Sequence, residues 1–180
     1  ELYGATSTTN SQYINDANLR PEKSLTQELS FEKTLEHHRW RLMAFVEDTQ
    51  DGIYSQSVID PAAGNKTISR VQNVDRIETR GLEAVYSASR WCLPGLDVSA
   101  SVTFADSTIK ANQGFVTVAG DTLGKQQPNI PKWRATLLAN YRWNALWTSA
   151  VAVRYSGQQF RTLNNSDVNG DAYMGVSPFT

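Results

Sequence analysis

Residues 132–157 read KWRATLLANYRWNALWTSAVAVRYSG. Taking every second residue of the first arm gives Trp133, Ala135, Leu137, Ala139 and Tyr141, and between them lie Arg134, Thr136, Leu138, Asn140 and Arg142. After a break at residues 143–146 the second arm repeats the plan. Trp147, Val151, Val153 and Tyr155 share one parity, with Ser149 as the exception, against Thr148, Ala150, Ala152 and Arg154. Successive side chains of a strand point to opposite faces, so this alternation predicts a β-hairpin with one apolar and one more polar face.

The aromatic residues say where such a hairpin belongs. Each arm begins with Trp and ends with Tyr eight residues later. Eight steps at about 3.3 Å cover about 26 Å, or about 20 Å of depth at a strand tilt near 40°. That approaches the height of the apolar band of a membrane-spanning barrel, which is bounded at both interfaces by girdles of aromatic rings. Trp133, Tyr141, Trp147 and Tyr155 are therefore the candidate interface anchors. The competing expectation is burial of the same rings in the core of a soluble sheet.

Outside the hairpin, composition narrows the classes. The 180 residues are 40% hydrophobic and 19% charged, with a formal net charge of −1. With a pI near 6.2, the balance disfavours nucleic acid as a partner. No apolar run is long enough for a membrane helix, so only strands of a barrel can span a bilayer here. A mean hydropathy of −0.43 does not exclude that, because half of each barrel strand faces a polar lumen and long loops add more polar residues. The single cysteine, Cys92, has no internal disulfide partner. The opening Glu1-Leu2-Tyr3 and the strand-like residues 173–180 at the other end predict an internal fragment of a longer protein.

Alternation recurs along the chain. Residues 1–23 are polar and predict a loop. Residues 24–35 place Leu25, Leu29, Phe31 and Leu35 against Thr26, Glu28, Ser30, Glu32 and Thr34; a strand fits better than a helix, although Leu25 and Leu29 are also four apart. Residues 40–46 end in a continuous apolar run whose register is unclear. A strand over residues 71–89 sets Leu82, Ala84, Tyr86 and Ala88 against Gly81, Glu83, Val85 and Ser87. After the Pro94-Gly95 turn signal, Leu96, Val98, Ala100, Val102 and Phe104 alternate without error.

The connections alternate in length: short at 36–39, 90–95 and 143–146, long at 57–70, 106–131 and 158–171. Consecutive antiparallel strands send alternate connections to opposite ends, and outer-membrane barrels have short periplasmic turns and long extracellular loops. The expected fold is all-β, an antiparallel transmembrane β-barrel that is incomplete, with about six to seven strands of a larger barrel.

Five segments carry a resemblance. Asn18-Leu19-Arg20-Pro21-Glu22, with Glu28 after it, resembles the segment that opens a late barrel strand in TonB-dependent outer-membrane receptors. Asn73-Val74 through Gly81-Leu82-Glu83 is similar to a later segment of the same family. Gly124-Lys125 to Pro128-Asn129-Ile130-Pro131 resembles the end of its next extracellular loop, and Tyr155-Ser156-Gly157 with Asn164-Asn165 resembles the family's pattern beyond that loop. Glu1-Leu2-Tyr3 looks like the end of the preceding loop. The order and spacing of all five agree with the family over nearly the whole chain.

The resemblance implies that residues 1–180 are the C-terminal part of a 22-stranded barrel, without the N-terminal plug, the TonB-contacting box or the terminal strands. It further implies a location in the bacterial outer membrane, contact with outer-membrane lipid, and active import of a scarce bulky ligand such as a ferric siderophore, cobalamin or haem. Energy would reach the missing plug through the TonB complex, and ligand would meet residues 106–131 and 158–171.

Polar residues on the strands supply the candidate lumen lining: Glu28, Glu32, Glu83, Arg134 and Arg154, which can line a substrate path or pair across strands. Other chemistry is weak. His37 and His38 point to opposite faces of a strand and do not make a chelate. Asn165, Asp167, Asn169 and Asp171 begin like a calcium loop, but the expected bidentate Glu falls at Val176. Two adjacent histidines at a turn make no catalytic triad, so neither an enzyme nor a cofactor or metal site is expected. The alternatives are a free-standing structural or adhesive outer-membrane barrel and a soluble carbohydrate-binding β-domain.

Overall fold

The computed structural model describes residues 6–7, 11–15, 18–60, 64–113, 122–166 and 173–179. Among the described residues, nine strands form one sheet: β1 (Thr6–Ser7), β2 (Ser11–Asn15), β3 (Lys23–Thr34), β4 (His38–Asp60), β5 (Lys66–Ala88), β6 (Leu96–Ala111), β7 (Trp133–Arg142), β8 (Thr148–Ser156) and β9 (Tyr173–Phe179). From β3 to β9, strands adjacent in sequence pair antiparallel with their neighbours. The sheet does not close, and among the described residues β3 pairs only with β4 and β9 only with β8.

Register carries the two faces across the sheet. Phe31, Leu42, Ala84, Val102, Ala135 and Tyr155 stand opposite one another on successive strands, and one residue along lies the polar row Glu32, Arg41, Val85, Ser101, Thr136 and Arg154. A one-residue slip would exchange the faces, which is why the pattern fixes register so firmly. Leu29 and Phe31 on the apolar face are 79% and 62% exposed. No second sheet covers that face among the described residues, as a soluble sandwich requires.

Gly81 is needed where the polar face is tightest. The Phe45 ring lies over it, so an added Cβ would collide with Phe45 and stand 2.6 Å from the Phe104 carbonyl oxygen. Nearby charges pair across strands: Arg39 meets Glu32 and Arg41 meets Glu83, both at 2.8 Å.

Several expectations are corrected. Residues 57–70 are not a long loop, because β4 and β5 pair from Gln50↔Arg76 out to Asp60↔Lys66. Nor is the N-terminal stretch wholly loop. β2 runs parallel to β5, with Ser11 opposite Thr67 and Asn15 opposite Val71. It takes the edge of β5 beyond Arg76, where the β5–β6 ladder ends. Residues 106–111, assigned to a loop, extend β6, and the strand expected over 71–89 begins at Lys66. The unclear register of residues 40–46 resolves with Trp40, Leu42 and Ala44 on the apolar face and Phe45 on the other. The strand expected over residues 24–35 is β3, which runs Lys23–Thr34 and leaves Leu35 outside it.

Candidate ligand-facing site at the long-strand end

Beyond the apolar rows, β4, β5 and β6 continue and the long connections fold back against them. A small core forms there. Val74, Ile77, Ile109 and Leu163 are almost fully buried, and Tyr54 packs against them. Leu163 comes from the connection after β8, so that connection is seated on the strands.

The segment before β7 also returns along β6. Gly124 N donates to Ile109 O at 2.9 Å, Ile109 N to Lys125 O at 2.9 Å, Gln127 N to Ser107 O at 3.0 Å and Ala105 N to Lys132 O at 2.9 Å. Its side chains reach inward: the Gln127 amide donates to the Tyr54 hydroxyl and accepts from Ser107 Oγ, which in turn shares a 2.7 Å hydrogen bond with Thr79 Oγ1. Burial pushes the Tyr54 hydroxyl pKa up, while the hydrogen bond from Gln127 acts in the opposite direction.

One side chain joins the two long connections. Asn165 Oδ1 accepts from Gln126 N at 2.7 Å, and Asn165 Nδ2 donates to Gln126 O at 2.9 Å and Thr162 O at 3.2 Å. Asn129 N donates to Phe160 O at 2.7 Å as a second tie. Asn129 and Asn165 have φ of 63° and 54°, a left-handed backbone that asparagine tolerates better than most residues. Asn165 is also the first residue of the calcium-loop-like pattern, and its side chain is committed to this clamp. Asp167, Asn169 and Asp171 lie outside the described residues.

A second latch joins two of the segments that carry the family resemblance, a contact that no local pattern in either segment specifies. Arg20 N donates to Asn73 Oδ1 at 2.7 Å, and Asn73 Nδ2 donates to Arg20 O at 2.9 Å and Asp51 O at 2.6 Å. The Arg20 guanidinium lies 2.7 Å from Asp51 and 3.1 Å from Asp75. Glu22 Oε2 accepts from Ile53 N at 3.2 Å. Residues 18–22 are thereby pinned across β4 and β5.

The candidate lining residues all stand on the polar face. Glu83 is paired with Arg41 and accepts from Thr103 Oγ1 at 3.4 Å. Arg134 and Arg154 are diagonal neighbours, since Arg134 faces Ser156 and Thr136 faces Arg154. Glu28 is opposite Phe45 on the same face. Of the four candidate anchors, Trp133 and Tyr155 are on the apolar face toward the long-strand end and Tyr141 is on it toward the short turns; Trp147, expected to open the second arm, lies in the turn just before β8, which begins at Thr148. Trp133 packs on Phe104 with ring centroids 4.9 Å apart. Ser149, the exception to the alternation, faces Tyr141 and accepts from Trp143 Nε1 at 3.0 Å. Away from this end, His38 Nδ1 shares a 2.8 Å hydrogen bond with the Tyr86 hydroxyl.

Residues 1–180 match the family described as "TonB dependent receptor-like, beta-barrel". The chain belongs to the TonB-dependent receptor β-barrel family, whose members are transporters and receptors of the bacterial outer membrane. Its fold is similar to the copper transporter OprC, with a TM-score of 0.65 at 15% identity over 90% of this chain and 23% of that one. It is also similar to the siderophore receptor PiuA from Acinetobacter baumannii, with a TM-score of 0.61 at 22% identity over 96% of this chain and 23% of that one. A mutant of the ferric enterobactin receptor PfeA from Pseudomonas aeruginosa gives a TM-score of 0.61 at 17% identity, over 93% and 24% of the two chains. The chain thus spans about a quarter of the length of these structures. The search of curated proteins found no match.

Proposed function

We propose that residues 1–180 are part of the barrel of an outer-membrane receptor that takes up a scarce, bulky ligand of the ferric siderophore class, with a plug completing it. The observation that carries this is the joining of the two long connections by Asn165 over the Leu163 core, at the strand ends opposite the short turns. Connections held together on rigid strands make a preorganised surface, which lowers the ordering cost of binding. Two of the similar structures are named as siderophore receptors, which favours that ligand class over others.

In this proposal Glu28, Glu83, Arg134 and Arg154 line the lumen, and Trp133, Tyr141, Trp147 and Tyr155 anchor the barrel at the two interfaces. The groove on the apolar face between Leu29, Phe31, Leu42, Leu82 and Trp133 takes lipid acyl chains rather than the transported ligand. Bound ligand moves inward when the TonB complex acts on the plug.

The test is iron uptake in cells deleted for the gene and grown with iron supplied only as a ferric siderophore. Uptake falls in the deletion strain and returns with the intact gene, but not with a gene lacking residues 158–166. Unchanged uptake for catecholate and hydroxamate siderophores would overturn the siderophore assignment. If copper accumulation were lost instead, the cargo would be reassigned.

A further inference from the structure

Charge is unevenly placed along this chain. Residues 122–166 carry Lys125, Lys132, Arg134, Arg142, Arg154 and Arg161 and not one Asp or Glu, although the whole chain is formally −1. The fold shows where these cations stand. Lys132 is held by Asp106 at 2.8 Å. Arg134, Arg142 and Arg154 share the polar face of β7 and β8, with Arg134 opposite Ser156, Thr136 opposite Arg154 and Arg142 opposite Thr148. Lys125 and Arg161 stand on the two connections that Asn165 joins, and both are exposed.

Register explains why the sheet itself does not neutralise them. Arg134 is flanked by Thr103 on β6 and Ser156 on β8, and Arg154 by Thr136 on β7 and Gly175 on β9. The diagonal positions, the farthest that long side chains reach, add no acid. Along the row of Arg134 the next carboxylate is Glu83, two strands away and taken by Arg41 at 2.8 Å. Arg39 on the same face is likewise paired with Glu32. Arg134, Arg142 and Arg154 make no ion pair among the described residues. Like charges at neighbouring positions repel, and an anion drawn between Arg134 and Arg154 relieves that repulsion.

We propose that the polar face of β7 and β8, with Lys125 and Arg161 at its outer end, is an electropositive track that selects anionic cargo. The cargo is an iron(III) chelate of net negative charge, of the tris-catecholate or polycarboxylate type, taken in preference to a neutral one. This inference rests on the siderophore-uptake reading above and narrows it by charge. The track begins on the connections, where cargo arrives from the medium, and descends the wall by way of Arg134 and Arg154, both exposed. One sign of charge therefore covers arrival and passage. A cleft lined by one sign concentrates counter-ions and raises their association rates by about 10- to 1000-fold. Guanidinium forks also bind paired oxygens in a bidentate manner. A neutral chelate gains nothing from the field.

The experiment uses the full-length receptor as cells make it and two probes, a trianionic iron(III) tris-catecholate and a neutral iron(III) tris-hydroxamate. Uptake of radio-iron from each is measured in cells, and binding to the purified receptor is followed by quenching of tryptophan fluorescence. The catecholate is bound and imported at the lower concentration, and its advantage shrinks as added salt screens the exposed charges. Arg134→Gln with Arg154→Gln raises KM and Kd for the catecholate about tenfold and leaves the hydroxamate values unchanged. Arg134→Lys with Arg154→Lys keeps most of the preference, because the charge remains. A receptor that prefers the hydroxamate would overturn the track. So would a double glutamine variant that weakens both chelates equally, since the arginines would then hold another part of the receptor, such as carboxylates of the plug. If neither chelate is bound or imported, the siderophore reading falls, and this inference with it.

Discussion

At the scale of single residues, Gly81, Asn165 and Tyr54 carry most of the consequence. Gly81→Ala sets a methyl group against the Phe45 ring and the Phe104 carbonyl. Overpacking of this kind costs about 1–3 kcal/mol, expected as a lower unfolding midpoint in detergent. Adding Phe45→Ala should recover only part of it, since the backbone contact remains. Asn165→Ala removes the bonds that tie Gln126 to the other connection. At about 0.5–1.5 kcal/mol net per hydrogen bond, the Gln126 amide should exchange with deuterium roughly tenfold faster or more, with Asn165→Asp intermediate because it keeps the acceptor. An unchanged rate would mean that the Leu163 core alone seats the connection.

Tyr54 gives the same region a pH limit. Its hydroxyl holds its proton to higher pH in the folded state than in the unfolded chain, chiefly because it is buried. The contribution is therefore complete below about pH 10, where a free tyrosine ionises, and is lost as pH rises from there through the folded-state value. Exchange protection of the Ile109 and Gly124 amides should fall above about pH 10. In Tyr54→Phe, which cannot ionise, the fall should vanish; if it persisted, another group would be responsible.

At the scale of elements, the two faces of β7 respond differently to charge. Leu137 lies midway between Trp133 and Tyr141 on the outward face, so Leu137→Arg should cost about 2–4 kcal/mol in lipid. Thr136→Lys on the opposite face should change the urea midpoint little. Equal effects would mean that the band is not in lipid. Strands inside the apolar band were legible because one face must be apolar there. The outer parts of β4 and β5 were not: Ser57, Asp60, Lys66, Ser69 and Arg70 lack that signature and resemble a loop, although their backbones remain paired.

At the scale of the whole molecule, β3 and β9 each have one edge with no strand partner among the described residues, and such edges invite association with other strands. The 180 residues refolded by themselves into detergent micelles should form oligomers or aggregates rather than a heat-modifiable monomer. A stable monomer would imply that the two edges close on each other.

What the sequence determined by itself was the alternation, the aromatic positions and the order of five motifs, and these suffice for strands, faces and family. Each depends on residues near one another in the chain, where a period of two is a local consequence of strand geometry. Tertiary structure alone decided that β2 takes over the edge of β5, that Asn73 holds Arg20 from 53 positions away, and that Asn165 clamps Gln126 across 39. Asparagine bonds any main chain that comes within reach, and nothing in its neighbours specifies which segment the folded sheet will bring there.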